Sequence, residues 1–410
     1  MAFDLLIHGG TIHDPASGRV ENLDIGVING SIAALEPNLS TTPAKTVLDA
    51  TGKLVLPGLV DFHTHIYWGG TPLGVDPDAL AATGGVTTWI DAGSAGAGNV
   101  EGLVQHVVTR SPLTIRFFVH VSYIGLLPVG HTDLRFGELF DHRLADASAC
   151  LRAIEEHREH VVGVKVRIGH SSTGPNGLDA MRVARSLGDY TGLPVMVHIS
   201  TPPPLLTDVL PYLQEGDIVT HCYTPGLMGI LDRHGNVLPA VHEARQRGIL
   251  FDVAHGAGSF SFEVAEAALA QGFTPDIISS DLHAYNVDGP TFDLVTTMMK
   301  FMAMGMSFDD VVARAASIPG GLLGGEPRDR IAVGVDADLV IVRYQREEVV
   351  LGDASGAIRN YDHRLLVDQT FARGALLESV SGAPQGKRKP GLQPIDDRLT
   401  KPPTATVQHD

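Results

Sequence analysis

The run Leu56-Pro57-Gly58-Leu59-Val60-Asp61-Phe62-His63-Thr64-His65 decides how the chain is read. It begins in a Pro-Gly break, continues as a strand-like apolar stretch and ends in two histidines. Period-two alternation sends His63 and His65 to the same face of that strand. If the strand belongs to a barrel, that face is the interior, and two imidazoles at its C-terminal mouth are a natural ligand pair for a borderline cation such as zinc. On its own an HxH is more often a surface or hydrogen-bonding pair, so position and company must decide.

Downstream, short β-branched runs alternate with amphipathic helical stretches, the signature of a parallel sheet with crossover helices. Strands are expected over 54–65, 86–91, 114–121, 161–167, 193–199, 217–222, 249–253 and 277–281, and eight is the barrel number. Helical patterns over 144–160, 178–187 and 262–271 fill the gaps, and 292–304 with 307–316 follow the eighth strand. Upstream, residues 1–53 read as short strands (3–8, 24–28, 31–35, 46–50) with Asn29-Gly30 as a hairpin turn. A matching unit appears late, where Ile331–Val342 leads into strand-like runs over 365–367 and 370–373. The expected fold is α/β, a (β/α)8 TIM-like barrel over 54–328. A small flanking β-sandwich domain is built from the N- and C-terminal segments, 1–53 and 329–380. Residues 381–410, rich in Pro, Gly and charge, read as an extended or disordered tail.

Composition excludes several classes of function. The chain of 410 residues carries 30 basic and 47 acidic residues, a net charge of −17, and no basic run before the short Lys387-Arg388-Lys389. A nucleic-acid partner is therefore not expected. The first residues lack the basic and apolar regions of a signal peptide, and no stretch is apolar enough to span a bilayer. A cytoplasmic location without membrane association is the expectation. Cys150 and Cys222 stand far apart and in no CxxC arrangement, which argues against a disulfide framework or a thiolate zinc site.

Company for the HxH arrives at the ends of later strands: Lys165 in the fourth, His198 in the fifth, His221 in the sixth and Asp281 in the eighth. Each lies where barrel enzymes build their chemistry. Singly, His198 and His221 read equally well as core histidines, Asp281 as a helix cap before Leu282-His283, and Lys165 as a salt-bridge partner of Asp281.

Together, the ordered set, the 56–65 run and the late Gly334-Val335-Asp336-Ala337-Asp338-Leu339-Val340 stretch resemble the amidohydrolase superfamily in its binuclear, carboxylated-lysine branch. The runs His65-Ile66-Tyr67-Trp68-Gly69-Gly70-Thr71, Val164-Lys165-Val166-Arg167 and His255-Gly256-Ala257-Gly258-Ser259-Phe260-Ser261-Phe262 are similar to its deacetylase-type, dihydroorotase-like members. An ammonium cannot bind a cation, but burial beside metals favours the neutral amine, which reacts with carbon dioxide to give a carbamate.

The resemblance implies two divalent ions, zinc by expectation. His63, His65 and Asp281 would hold one and His198 and His221 the other, with carbamylated Lys165 and a hydroxide between them. Asp281 would be the catalytic proton shuttle. Arg167 lies two residues after Lys165 and so at the mouth, where its planar fork suits a substrate carboxylate. Tyr123, His255, Ser259 and His283 are further substrate-binding candidates, each equally readable as a loop hydrogen-bonding residue.

The expected activity is hydrolysis of a small acylated substrate, an N-acetyl amino acid or the acetyl ester of a hydroxy acid, by a homo-oligomeric enzyme. A dihydroorotase normally carries an arginine just after the HxH, where Ile66, Tyr67 and Trp68 stand here. Hydrolysis of a dihydropyrimidine or hydantoin ring is the other cyclic-amide alternative. A non-catalytic scaffold would be expected to show gaps in the ligand set.

Overall fold

The computed structural model describes residues 2–130, 137–325 and 330–379, so the expected 328/329 boundary and the 381–410 tail lie outside the described residues. The chain opens with β1 (Phe3–His8), β2 (Thr11–Asp14), β3 (Arg19–Asn22), β4 (Asp24–Ile28), β5 (Ser31–Glu36), β6 (Ala44–Asp49) and β7 (Leu54–Pro57). The barrel strands follow: β8 (Leu59–Thr64), β9 (Val86–Asp91), β10 (Thr114–His120), β11 (Val161–Ile168), β12 (Val195–Ile199), β13 (Ile218–Thr220) and β14 (Leu250–Asp252). The last strands are β15 (Leu339–Gly352), β16 (Ile358–Ala372) and β17 (Ala375–Leu376).

β8 to β14 form one parallel, seven-stranded sheet in sequence order. The eighth position is filled by residues 277–282, which are held by isolated parallel bridges instead of a full ladder: Asp252 with Ile277 on one side, Thr64 with Leu282 on the other. Backbone bonds close the circle, with Asp281 N donating to His63 O at 2.7 Å and His65 N to Leu282 O at 2.9 Å. The result is the TIM-like barrel. Its interior is filled at the base by Val60, Phe62, Ile90, Phe118, Met196, Ile218 and Ile277, as expected of a packed barrel core.

The expected strand 54–65 divides at Gly58. Leu54–Pro57 leaves the barrel and pairs antiparallel with β15 and parallel with β2. A Cβ on Gly58 would meet Thr87 Oγ1 at 2.1 Å and Asp338 Cβ at 3.1 Å, so only glycine fits where the chain passes between the two units. The flanking unit has two sheets, ordered β5-β4-β1-β6 and β17-β16-β15-β7-β2-β3. Leu5, Ile7, Ile25 and Val27 from one meet Ile12, Val55, Leu339, Ile341 and Phe371 from the other, which makes it a sandwich drawn from both ends of the chain.

Local signals account for many boundaries. Asp76 caps the helix Pro77–Gly84 by accepting from Asp78 N, Pro77 sits in its first turn, and Gly85 ends it at φ 72° directly before β9. The expected helix over 307–316 stops at Val312, gives way to a wider π turn over Ala313–Ser317 and resumes as Ile318–Leu322. Strands β2 and β3 were not anticipated, because each spans only four residues. Among the described residues no helix is long and apolar enough to cross a membrane.

At the base of the barrel, away from the histidines, buried Asp217 accepts from Val195 N at 2.7 Å, Gln214 N at 2.7 Å and Arg185 Nη1 at 2.5 Å. Asp217→Ala orphans all three donors and should cost about 3 kcal/mol of stability. A clear fall in the thermal midpoint is expected, with kcat/KM of the folded fraction within about twofold of wild type, because this end of a barrel serves stability. An unchanged midpoint would contradict this reading.

Candidate metal centre

His63 joins the barrel interior directly after the inward-facing Phe62 because the β8–β9 register shifts between Asp61 and Thr64. Simple alternation therefore pairs His63 with His65 correctly but misses this irregularity. Both rings converge on the carboxylate of Asp281. His65 Nε2 lies 3.2 Å and His63 Nε2 3.6 Å from Asp281 Oδ1, and the three side chains offer ligand atoms within 4.8 Å of one another. His198 and His221 form a second pair, with ring centroids 4.3 Å apart, and His221 lies 5.1 Å from His63. Lys165 Nζ is 3.4 Å from His63 Nε2. The structure thus brings all six expected ligand residues to one mouth.

The far side of the rings fixes the tautomers of His221 and His63 and holds His65 in place. His221 Nδ1 is 2.9 Å from Ala254 O, and a carbonyl can only accept, so the proton sits on Nδ1 and Nε2 keeps its lone pair. Thr220 Oγ1 donates to Asp252 Oδ2 at 2.7 Å and accepts from His63 Nδ1 at 2.9 Å. His65 Nδ1 faces Ser94 Oγ at 2.9 Å, and Ser94 N is in turn held by Asp91 Oδ1 at 2.6 Å. Such braces orient imidazoles toward a metal. Asp281 Oδ1 is fully buried with no hydrogen-bond partner among the described residues. A carboxylate oxygen this close to two imidazole nitrogens with no hydrogen bond among the described residues is a poor arrangement by itself and a good one around a cation.

The backbone is strained where these groups are presented. His221, Ala254 and Asp281, at or just past the ends of the sixth, seventh and eighth strands, adopt φ of 65°, 40° and 49°, a region that non-glycine residues rarely visit. Asn286 holds the last of these turns by donating to Asp281 O and accepting from His283 N, both at 2.8 Å.

Burial dominates the electrostatics. It pulls the Lys165 ammonium down to about 7, His65 to about 3 and His221 to about 4, and pushes Asp252 up to about 6. His63 and His198 are pushed well below the ordinary histidine value by the same cause, and the Asp281 carboxyl is raised by it. Lys165 is accordingly a deprotonable amine near neutral pH. Its stem lies against Gly93, where a Cβ would come within 2.6 Å.

The expected substrate groups separate. Arg167 reaches the mouth, but its Nη1 is already 3.0 Å from Glu138 Oε1. His283 is buried with its ring 6.3 Å from His65. Ser259 stands beside Gly256, and an ideal Cβ there would lie 3.6 Å from Ser259 Oγ and 2.5 Å from Asp281 Oδ2. Tyr123 is exposed. His255 is completely buried with both ring nitrogens engaged: its Nδ1 is 2.8 Å from Gly256 O, and its Nε2 accepts from Lys300 Nζ at 2.7 Å. It ties the loop after β14 to the helix Leu294–Ala303 and to Thr291. Sequence reasoning passed over the braces Asp91, Ser94, Thr220 and Asp252, and also His120 and Glu138. Asp91, His120, Thr220 and Asp252 lie at or within two residues of the ends of expected strands, and that placement was the available signal.

A closed α/β barrel with a histidine- and carboxylate-lined mouth defines a barrel hydrolase. The amidohydrolase family model matches residues 54–377, and the chain belongs to that family, whose members are typically metal-dependent. A deacetylase of Agrobacterium fabrum is 34% identical over 330 residues, 80% of each chain. A deacetylase of Enterococcus faecalis is 30% identical over 382 residues, 92% of this chain and 100% of that one. Crystal structures of an adenine deaminase (TM-score 0.84, 30% identity, 91% of this chain and 99% of that one) and a dihydroorotase (TM-score 0.82, 31% identity, 91% and 98%) share the fold. The protein is a hydrolase.

Lys300 gives this region a measurable pH signature. Its Nζ is buried, donates to Pro290 O at 2.8 Å, and is pulled by burial from 10.5 to about 7. Between those values the unfolded chain holds the extra proton, so stability rises with pH across the window, by at most about 1.4 kcal/mol per pH unit. In metal-free protein, Lys300→Met should lower the slope that denaturant unfolding reads between about pH 7.5 and about 9.5, leaving the equal contribution of Lys165, which burial shifts in the same way. Identical slopes in variant and wild type would refute the assignment.

Proposed function

We propose that the protein is a deacylase that hydrolyses a small acylated acid, an N-acetyl amino acid or the acetyl ester of a hydroxy acid. Its centre would hold two divalent cations of zinc type. The reading rests above all on the bare, buried Asp281 Oδ1 lying 3.2 and 3.6 Å from two imidazole nitrogens. His63, His65 and Asp281 would hold one ion and His198 and His221 the other. Lys165 would join them as a carbamate, formed when its neutral amine bonds to carbon dioxide and releases a proton. Bound there, the ions would acidify a water molecule and polarise the acyl carbonyl.

The chain's own residues do the rest. Asp281 takes the proton of the attacking water on a carboxylate oxygen. It returns that proton to the departing nitrogen or alkoxide oxygen as the acyl carbon bond to it breaks. His63 and His221 are kept in one tautomer by Thr220 and Ala254, and His65 is held in orientation by Ser94. Arg167 supplies the cationic clamp that an anionic substrate needs in a protein of net charge −17. Two relatives named deacetylases support acyl substrates.

The dihydroorotase-like neighbour favours a second reading, opening of a cyclic amide at the same centre. Ile66 and Tyr67 are buried and Trp68 is half exposed, so residues 66–68 offer no cation for that substrate's carboxylate.

A hydrolysis screen of N-acetyl amino acids, acetylated hydroxy acids and cyclic amides with metal-replete enzyme tests the reading, and turnover of cyclic amides alone would overturn it. Elemental analysis should find about two zinc-like ions per chain, given six ligand residues. Lys165→Ala is expected to lose most metal and activity, and a fully metallated, active variant would eliminate the carbamate. Asp281→Asn should keep the fold and at least one ion while turnover falls by about 10² or more. Near-normal turnover at unchanged metal content would move the proton shuttle to another residue.

A further inference from the structure

The structure assigns a second donor to the substrate-anion site: we propose that His120 Nε2–H binds the substrate carboxylate alongside Arg167. The inference rests on the carboxylate-clamp reading of Arg167 and adds a residue that neither family membership nor the ligand set assigns.

His120 ends β10 and pairs in register with Lys165 on β11, which places the two side chains next to each other on the barrel's inner face. An ideal Cβ on Gly93 would meet the Lys165 stem at 2.6 Å and the His120 ring at 3.5 Å. The imidazole is completely buried. Its Nδ1 accepts from Ser122 N at 2.9 Å. A nitrogen that accepts carries no proton, so the ring is neutral and Nε2 bears the hydrogen.

That Nε2–H has no partner among the described residues. The nearest carboxylate oxygen, Glu138 Oε1, is 3.8 Å away, beyond hydrogen-bond reach. Buried N–H groups are rarely left orphaned, because the lost hydration is not recovered.

Three observations choose the ligand. Glu138 Oε1 accepts from Arg167 Nη1 at 3.0 Å, so the guanidinium and the imidazole N–H converge on the surroundings of one anionic oxygen. Glu138 is itself buried, with side-chain exposure of 2% against 18% for Arg167. It holds one arm of the guanidinium through Nη1, and Nε and Nη2 make no hydrogen bond to Glu138. Ser122 fixes both partners, since its N–H orients His120 and its Oγ donates to Glu138 O at 2.7 Å. A neutral N–H beside a guanidinium suits an anionic oxygen acceptor. A cationic group would be repelled, and an apolar one would leave the donor bare.

The test compares a carboxylate-bearing acetyl substrate with its methyl ester in four enzymes: wild type, His120→Phe, His120→Gln and Arg167→Met. His120→Phe should raise KM for the acid about tenfold, leave kcat and metal content near wild type, and change the ester by less than about twofold. His120→Gln, which can place an amide N–H near the Nε2 position, should recover most of the loss. Equal losses on acid and ester, or none on either, in a metal-replete His120→Phe enzyme would overturn the proposal. If Arg167→Met abolishes the preference for the acid and His120→Phe does not, His120 alone is wrong. If neither does, the carboxylate reading itself fails. Should His120→Phe not fold, a crystal structure of wild type with the product acid decides. A carboxylate oxygen within about 3.2 Å of His120 Nε2 is expected, and a carboxylate bound elsewhere refutes it.

Discussion

The cost of keeping Lys165 charged inside the barrel is the constraint from which the rest of the mouth follows. The side chain is 1% exposed, flanked by His63 and by the sulfur of Met196 at 3.3 Å, and its ammonium is pulled down to about 7. A cation in such a place must be paired or neutral. Asp281 and Asp252 favour the charged form, but desolvation outweighs them. The same burial holds the surrounding imidazoles neutral, so the mouth presents lone pairs where solvent would have produced cations. A cluster of neutral donors around one bare carboxylate oxygen is electrostatically incomplete, and a divalent ion is the charge that completes it.

Holding the cluster in one geometry requires supports that run through the backbone. Asp252 accepts from Thr220 and from Ser279, the latter at 2.5 Å, and so joins β13, β14 and the eighth segment behind His63. Asp61 accepts from Ser280 N and Oγ, at 3.0 and 2.5 Å, and anchors the residue just before Asp281 from the first barrel strand. Because residues 277–282 have only isolated bridges to their neighbours, these side-chain bonds do part of what a ladder does elsewhere. A segment free of a full ladder can adopt the left-handed turn at Asp281 that aims its carboxylate at the histidines. The loose eighth position and the strained ligand are two aspects of one device.

The sequence made the ligand set legible because barrel chemistry has a fixed address, the C-terminal end of each strand. His63 and His198 stand one residue before the ends of β8 and β12, His65 and His221 directly follow β8 and β13, Lys165 lies three residues before the end of β11, and Asp281 closes the eighth expected strand. Two features were not legible. The shift between Asp61 and Thr64 depends on pairing with β9, a long-range fact that no local pattern encodes. The eighth strand is expected from its apolar and β-branched residues, whereas in the fold its scattered backbone bonds to both neighbours are supplemented by hydroxyl-to-carboxylate bonds from Ser279 and Ser280. His255 shows the limit of the address rule. It follows the seventh strand by three residues, near the expected ligands in sequence order, yet its ring meets Lys300 and stacks on Phe260 at 4.6 Å. A strand-end histidine is read as a ligand or a brace only once the partner of its second nitrogen is known.

This division also separates chemistry from specificity. The groups proposed to hold metal and move protons lie on or against barrel strands, where neighbouring strands fix them on both sides. The loops that follow the strands differ in length and carry exposed aromatic residues, such as Trp68 after β8 and Tyr123 after β10. Loops can exchange such residues without disturbing the barrel, so one metal-binding frame accommodates many acyl or amide substrates. Arg167 stands between the two sets. It is built on β11 and held by Glu138. A charge fixed to the frame discriminates more sharply than one carried on a loop, because its position does not relax to suit the wrong ligand. On the proposed reading, recognition of an anionic group would belong to the frame, and recognition of the side chain attached to it to the loops.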